Sequence, residues 1–413
     1  MIDLALLRGE NAEQTKAQIK RKEPKFDVAG LMASDKKVKE LKMQVDGLRS
    51  EKNEIAKSAS GGLSDDLRQK SIEIGKALKE KESLLEIEEP KLMELALACP
   101  NILSNDVQDG GKDANKAVFI WGKKPEYSFK PKNHLELNEK LNWFDFKLGA
   151  KISGSQQVVY RSDGLKMLYA LTRLLLTHNA KNGHTPIFPP YLVSEKTMIA
   201  NGSLPKFKGD FYSIEADGLS LLPTAEVTFT GMLSDTTFRQ DELPLRQCAW
   251  TSCFRREAGG YGAAERGLIR IHQFEKVELY SVCEPEKSFD ELERMVQIGK
   301  SFIEKLGLHY QVSLLAAQDC SFSSAKTYDL EVWLPGQGSY YEVSSCSNCT
   351  DFQARRAGIR YKDSTGKTRL AHTLNASSLA LPRLMVAIIE TYQQEDGQIV
   401  LPKILQDEMD KVW

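Results

Sequence analysis

The sequence predicts an α+β protein, an antiparallel sheet flanked by helices, preceded by an N-terminal antiparallel coiled-coil arm. Three observations carry that expectation. The first hundred residues are rich in charge and repeat apolar residues at helical spacing. Beyond about residue 115, aromatic and β-branched runs appear. Strand-like segments then alternate with helices irregularly, without a regular βαβ repeat. A chain of 413 residues has room for two or three domains and a large core.

The arm comes first. Val38, Leu41, Val45, Leu48 and Ile55 recur at helical spacing, as do Leu67, Ile74, Leu78, Leu85, Leu92 and Leu95, with Lys81 and Glu88 as polar interruptions. Between the two runs, Ser60-Gly61-Gly62 is a turn signal, because glycine supplies the positive φ of a tight reversal. Two amphipathic helices over about 35–98 therefore fold back on each other and project from a larger body. On pattern alone such a hairpin reads as a dimerisation coiled coil. Pro100 to about Asn115 has linker composition, which sets domain limits of 1–105 and 106–413. In the second domain, Leu165–His178 reads as a buried helix, and Leu268–Phe274, Val277–Val282 and Leu330–Leu334 as strands.

Composition narrows the class of protein. A formal charge of −1 announces no global field for nucleic acid, although local patches remain compatible with RNA. No basic n-region with an apolar stretch opens the chain, and no run nears the roughly 18 apolar residues of a membrane span. A cytoplasmic protein with no membrane partner is expected. Seven scattered cysteines argue against a disulfide framework, and Cys346-Ser347-Asn348-Cys349 lacks the second ligand pair of a structural zinc site. Two phosphate-loop lookalikes fail. In Ser364-Thr365-Gly366-Lys367-Thr368 the motif's first glycine would fall where Tyr361 stands, and Gly259-Gly260-Tyr261-Gly262 lacks the strand-to-helix context of a dinucleotide site.

A different phosphate-binding device is present. Cys253-Phe254-Arg255-Arg256-Glu257 is followed by a Gly-rich loop and then by Arg266 to Phe274. Two strands joined by that loop place Arg255 and Arg270 on one surface with Phe274 nearby. Arginine's planar fork bonds two phosphate oxygens at once and keeps its charge, and Phe274 offers a face to adenine.

This segment resembles motif 2 of the class II aminoacyl-tRNA synthetases. Asn375-Ala376-Ser377-Ser378-Leu379-Ala380-Leu381-Pro382-Arg383 is similar to their motif 3, and Gly183-His184-Thr185-Pro186-Ile187-Phe188-Pro189-Pro190 to motif 1, which supports a homodimer interface. Pro223-Thr224-Ala225-Glu226, the run from His272 to Glu278, and the blocks 327–333, 342–348 and 351–356 resemble the seryl-tRNA synthetase family. The resemblance runs from the linker to near the end of the chain. It implies the class II antiparallel sheet and turns the hairpin into a tRNA-binding arm.

The resemblance also implies roles. Arg255 and Arg383 are the catalytic residues. The ATP site comprises Arg255, Arg256, Glu257, Arg270, Ile271, Phe274, Glu342, Val343, Ser344, Ser345 and Arg383, with Arg255 near the α-phosphate and Glu257 at the adenine amino group. Glu342 and Ser345 hold Mg²⁺, a hard ion that prefers oxygen. Serine is held by Thr224, Ala225, Glu226, Arg255, Glu278 and Ser377. Glu226 meets its ammonium, and Glu278 and Ser377 its hydroxyl. The implied reaction forms seryl-adenylate and pyrophosphate, then transfers serine to the 3′ end of tRNA(Ser); whether tRNA(Sec) is also charged stays open. Lys36, Lys37, Lys39, Lys42, Arg49 and Lys52 on the first arm helix, and Arg68, Lys70, Lys76 and Lys79 on the second, are the pool from which tRNA contacts are drawn. The rival readings are a ligase that loads a carrier protein and a silent RNA-binding paralogue. Two local departures stand out. The 262–266 loop lacks a basic residue near Ala263, and Ala376 and Ser378 replace common glycines.

Overall fold

The computed structural model describes residues 1–58, 64–257 and 266–413. The chain divides into two compact units, Met1–Pro100 and Asn101–Trp413. The Ser60-Gly61-Gly62 turn and the loop carrying Gly259–Gly262 and Ala263 lie outside the described residues.

In the first unit a short helix, α1 (Ala12–Lys22), precedes two long ones, α2 (Val28–Ser58) and α3 (Asp65–Ala98). Local chemistry marks their starts. The Asp27 side chain accepts from the Gly30 amide at 2.9 Å, and Ser64 caps α3 by accepting from the Leu67 amide. Val38, Leu41, Val45 and Ile55 from α2, with Ile74, Leu78 and Ala96 from α3, are buried. Lys37 pairs with Glu88 at 3.1 Å, Lys42 with Glu89 at 2.6 Å, and Arg49 with Glu82 at 2.8 Å. From Lys37 and Lys42 to Arg49 the partner moves back along α3, from Glu88 and Glu89 to Glu82, so the pair is antiparallel. Glu88, a polar interruption of the apolar register, is thereby accounted for. It receives Lys91 as well as Lys37, and these hydrogen bonds hold its carboxyl below the usual range.

The second unit is built on eight strands: β1 (Lys116–Trp121), β2 (Thr185–Ile187), β3 (Leu245–Phe254), β4 (Gln273–Cys283), β5 (Tyr310–Leu314), β6 (Lys326–Leu334), β7 (Ser339–Asn348) and β8 (His372–Ala380). Their spatial order is β1-β5-β6-β7-β8-β4-β3-β2. Every pairing is antiparallel except β2 with β3. The helices α4 (Ser162–Lys181), α5 (Ala225–Met232), α6 (Ser288–Lys305), α7 (Phe352–Ala357) and α8 (Leu381–Thr391) flank the sheet.

Alternation along β4 separates two cores. Val277, Leu279 and Cys283 join the large cluster made with α4, α6 and α8, whereas Tyr280 and Val282 join a second cluster with Phe229 of α5 and Ala354 of α7. Lys276 and Glu278 share the parity of Tyr280, so they lie on the face covered by α5 and α7. Ser377 of β8 stands opposite Glu278 in the ladder, on the same face, because Leu374 and Ala376 both belong to the large cluster.

Two expectations are corrected. Leu268–Phe274 is not one strand: Gly267–Ile269 forms a 3-10 turn and β4 begins only at Gln273. Gly267 has φ +67, a left-handed backbone, and Leu268, Ile269 and Ile271 all insert into the large core instead of alternating between faces. The segment after Pro100 is also more than a linker. The Asn101 amide donates to the Phe322 carbonyl at 3.0 Å and the Ser104 amide to that of Ala325 at 2.9 Å, while Leu103 and Val107 pack with Leu315, Ala317 and Cys320. Residues 101–105 thus belong to the second unit. The Asn101 side-chain amide donates to the Ser323 and Cys349 carbonyls and to Thr350 Oγ1. Asn101→Ala strands these buried acceptors and is expected to cost about 1–3 kcal/mol. A lowered midpoint in urea unfolding checks this, and an unchanged midpoint refutes it.

Candidate active site

β3 ends at Phe254 and hands the chain to Arg255, Arg256 and Glu257. The Arg255 amide donates to the His272 carbonyl at 2.9 Å, which ties the exit of β3 to the entry of β4. The Arg255 guanidinium lies 5.3 Å from the centre of the Phe274 ring, and its Nε reaches the Pro223 carbonyl at 3.4 Å. Glu257, in a left-handed backbone conformation (φ +52), pairs with Arg270 at 2.8 Å. At the other end of the site, β8 runs into α8, and Arg383 falls in the first turn of that helix, after Pro382. Its Nη1 donates to the Glu342 carbonyl at 2.9 Å and lies 3.3 Å from the Glu342 carboxylate; its Nε reaches the Ile269 carbonyl.

Arg255, Glu257, Arg270, Phe274, Glu342 and Arg383 line one open cleft, with Ile271, Lys276 and Ser377 also in its wall. A second hollow, lined by Thr224, Glu226, Asp210 and Phe322, shares Arg255, Glu257 and Arg270 with the first. The floor is a dense polar cluster. Lys276 Nζ donates to Thr224 Oγ1 at 2.7 Å and pairs with Glu278 Oε2, and Thr224 Oγ1 donates to the same Oε2 at 3.1 Å. Gln353 of α7 donates to Glu226 Oε1 at 2.5 Å. Burial, followed by the neighbouring Glu278 charge, pushes the Glu226 carboxyl up to about 7. Three arginines thus face one cleft, and two acids, the half-buried Glu226 and the buried Glu278, lie beside it. That arrangement can grip a polyphosphate and a small ammonium-bearing molecule side by side.

Two family models match the chain. The seryl-tRNA synthetase N-terminal domain covers residues 1–103, and the class II tRNA synthetase core domain (G, H, P, S and T) covers residues 209–392. The serine–tRNA ligase of Leptospira biflexa is 44% identical over 385 residues, 92% of each chain. That of Chlamydia abortus is 41% identical over 415 residues, covering 98% of this chain and 97% of its own. The chain belongs to the seryl-tRNA synthetase family. Among solved structures, the Pyrococcus horikoshii seryl-tRNA synthetase complexed with ATP superposes with a TM-score of 0.94 at 33% identity, over 99% of this chain and 98% of that one.

Not every residue expected in this family site reaches the clefts. Arg255, Glu257, Arg270, Ile271, Phe274, Glu342, Ser377 and Arg383 line the first, and Thr224 and Glu226 the second. Glu278 joins them through Thr224. Val343 is buried in the large core, so only its backbone is available to a ligand, and Ala225 is fully buried beside the site. Ser344 donates its hydroxyl to the Ser377 carbonyl, a bracing contact between β7 and β8. Arg256 is exposed and lines neither cleft; its amide donates to the Asp210 carbonyl.

Three neighbours escaped the sequence reading. Lys276 sits two residues before Glu278, and strand parity alone puts both on one face. Gln353 lies inside a segment already singled out, yet its partner Glu226 is remote in sequence. Asp329 of β6 faces Ser345 across the ladder and hydrogen-bonds its side chain. Burial, followed by the nearby Glu342 charge, holds the Asp329 carboxyl well above the usual range.

Proposed function

We propose that this chain activates L-serine with ATP, releasing pyrophosphate, and transfers the seryl group from the adenylate to the 3′ end of tRNA(Ser). The observation that carries this reading is the contact between two half-sites. An arginine-lined cleft adjoins a floor on which Thr224, Glu226, Glu278 and Ser377 converge. Arg255 belongs to both, which suits the residue that holds the serine carboxylate against the α-phosphate. Arg270 and Arg383 then take the outer phosphates and offset the charge that develops as pyrophosphate leaves, so no protein nucleophile is required. Phe274 stacks on adenine and Glu257 receives its amino group.

Glu226 takes the serine ammonium, and Glu278 with Ser377 takes the hydroxyl. A site built to pair a hydroxyl rejects an analogue lacking it by roughly 10⁴–10⁵, which excludes alanine without an editing step. Glu226 must be ionised to hold an ammonium, and its carboxyl titrates at about 7. Below that pH the neutral acid repels nothing and attracts little; above it the carboxylate is present. Apparent KM for serine is therefore expected to fall as pH rises through about 7. A flat KM across that interval refutes the assignment.

The donors around Glu342 fit a hard cation: the Glu342 carboxylate, the Ser345 hydroxyl and Asp329, whose Oδ1 is buried without a hydrogen-bond partner among the described residues. Glu342 and Ser345 would hold Mg²⁺, which would neutralise triphosphate charge. A homodimer is supported by aromatic exposure around the β2 segment: Phe188 is 72%, Trp413 66% and Tyr169 45% exposed, joined through Trp250. On the hairpin, Lys37, Lys42 and Arg49 are engaged in ion pairs between the helices. Lys39, Lys52, Arg68, Lys70, Lys76 and Lys79 are exposed and make no ion pair among the described residues, so these are the residues offered to tRNA phosphates. Cytoplasmic location belongs to this reading; no helix among the described residues is long and apolar enough to cross a membrane.

The test is ATP–pyrophosphate exchange with each amino acid in turn, followed by charging of total tRNA and of purified tRNA(Ser) and tRNA(Sec). Exchange with serine alone, and seryl transfer to tRNA(Ser), are expected. Exchange with another amino acid, or serine transfer to a carrier protein in place of tRNA, overturns the reading.

A further inference from the structure

The floor of the site contains one feature that the roles above do not use. Serine brings a single ammonium, yet two carboxylates, the half-buried Glu226 and the buried Glu278, await it. A second uncompensated carboxylate beside the side-chain subsite would favour a substrate whose side chain is itself cationic. Lys276 prevents this. Its side chain is 7% exposed and that of Glu278 2%, and the two are in direct contact. The Lys276 ammonium and the Thr224 hydroxyl both fall on Oε2 of Glu278, and Oε1 makes no hydrogen bond among the described residues.

The partition between the two acids is asymmetric. Lys276 pairs with Glu278, whereas Glu226 receives the neutral amide of Gln353. Glu226 therefore has no cation in direct contact among the described residues to compete with the α-ammonium, and Glu278 is left as a hydrogen-bond acceptor whose charge is already balanced. Resting on the serine reading above, we propose that Lys276 is a specificity-determining residue that makes the side-chain subsite accept a neutral hydroxyl and refuse an ammonium.

The informative probe is 2,3-diaminopropionate, which replaces the serine hydroxyl with an amine that is protonated near neutral pH. Calorimetric titration of the full-length protein with serine and with this analogue gives a ratio of dissociation constants. In Lys276→Met the ratio is expected to move toward the analogue by about tenfold, the scale of removing one nearby like charge from a partly desolvated site. Lys276→Arg, which keeps the charge, is expected to hold the wild-type ratio. Should Lys276→Met fail to fold, Lys276→Met in a Glu278→Gln background removes both charges together. Compared with Glu278→Gln alone, it is also expected to shift the ratio toward the analogue. A parallel loss of both ligands with the ratio unmoved, or a shift toward serine, overturns the role of Lys276. Wild-type protein that binds no serine overturns the underlying reading instead.

Discussion

Glu278→Ala is expected to abolish serine-dependent pyrophosphate exchange while ATP binding persists. The acid is buried, faces Ser377 across the β4–β8 ladder and accepts from Thr224. Its removal deletes the proposed acceptor of the serine hydroxyl and leaves the Lys276 ammonium buried without its carboxylate. The first effect alone approaches the roughly 10⁴-fold discrimination of a hydroxyl-reading pocket. The second costs about 3–5 kcal/mol, as for breaking any buried ion pair on one side. Because that cost also falls on stability, Glu278→Gln serves as the companion variant: it keeps the shape and is expected to lose exchange with a smaller drop in unfolding midpoint. Exchange by Glu278→Ala within tenfold of wild type would remove Glu278 from the serine pocket.

Shortening the hairpin is expected to separate activation from charging. Deleting the whole of about 35–98 would remove Asp35, which pairs with Arg8 within the first unit. A cut from Met43 to Leu85, closed by a short Gly-Ser turn, keeps that pair together with Lys37–Glu88 and Lys42–Glu89. It removes Lys52, Arg68, Lys70, Lys76 and Lys79. The cleft residues all lie in the second unit, which has its own core, so serine activation is expected to proceed at the wild-type rate. Charging of tRNA(Ser) is expected to fall at least a hundredfold, since each lost phosphate contact weakens binding and the losses accumulate. Undiminished charging would show that the hairpin does not bind tRNA.

Most of the architecture was legible because it rests on periodicity. Helical spacing located α2, α3 and α4, and β-branched runs located the middle of β4 and the second half of β6. Where the reading failed, tertiary packing had overridden local pattern. Leu268, Ile269 and Ile271 look like a strand, but all three are needed by one core, and only a turn presents consecutive residues to one side. The 101–107 segment has loop composition, yet its backbone groups find partners more than two hundred residues away. In the site, Arg255, Glu257, Arg270 and Arg383 were legible because triphosphate chemistry selects arginines and because their segments carry family motifs. Lys276 was passed over because a lysine on a strand reads as a solvent-facing residue. Its burial depends on α5 and α7 closing over the sheet, which no local window contains. Val343 illustrates the converse: the resemblance places it in the ATP site, and its side chain lies in the core, which leaves its backbone for that role.

The pairing of Arg270 with Glu257 and of Arg383 with Glu342 has a consequence for how the cleft fills. A pocket of bare arginines would behave like an anion-exchange resin, loading whichever phosphate compound is most abundant. Here two of the three guanidiniums, those of Arg270 and Arg383, already rest against an internal counter-ion, so at these two an incoming anion gains only the difference between its own grip and that of the resident carboxylate. A single orthophosphate offers little more than the glutamate it displaces. A nucleoside triphosphate would engage several cations at once, and on the proposed reading the displaced glutamates would serve at the adenine amino group and at the Mg²⁺ position. On the proposed reading the two resting ion pairs would set a threshold that filters ligands by valence before any chemistry begins.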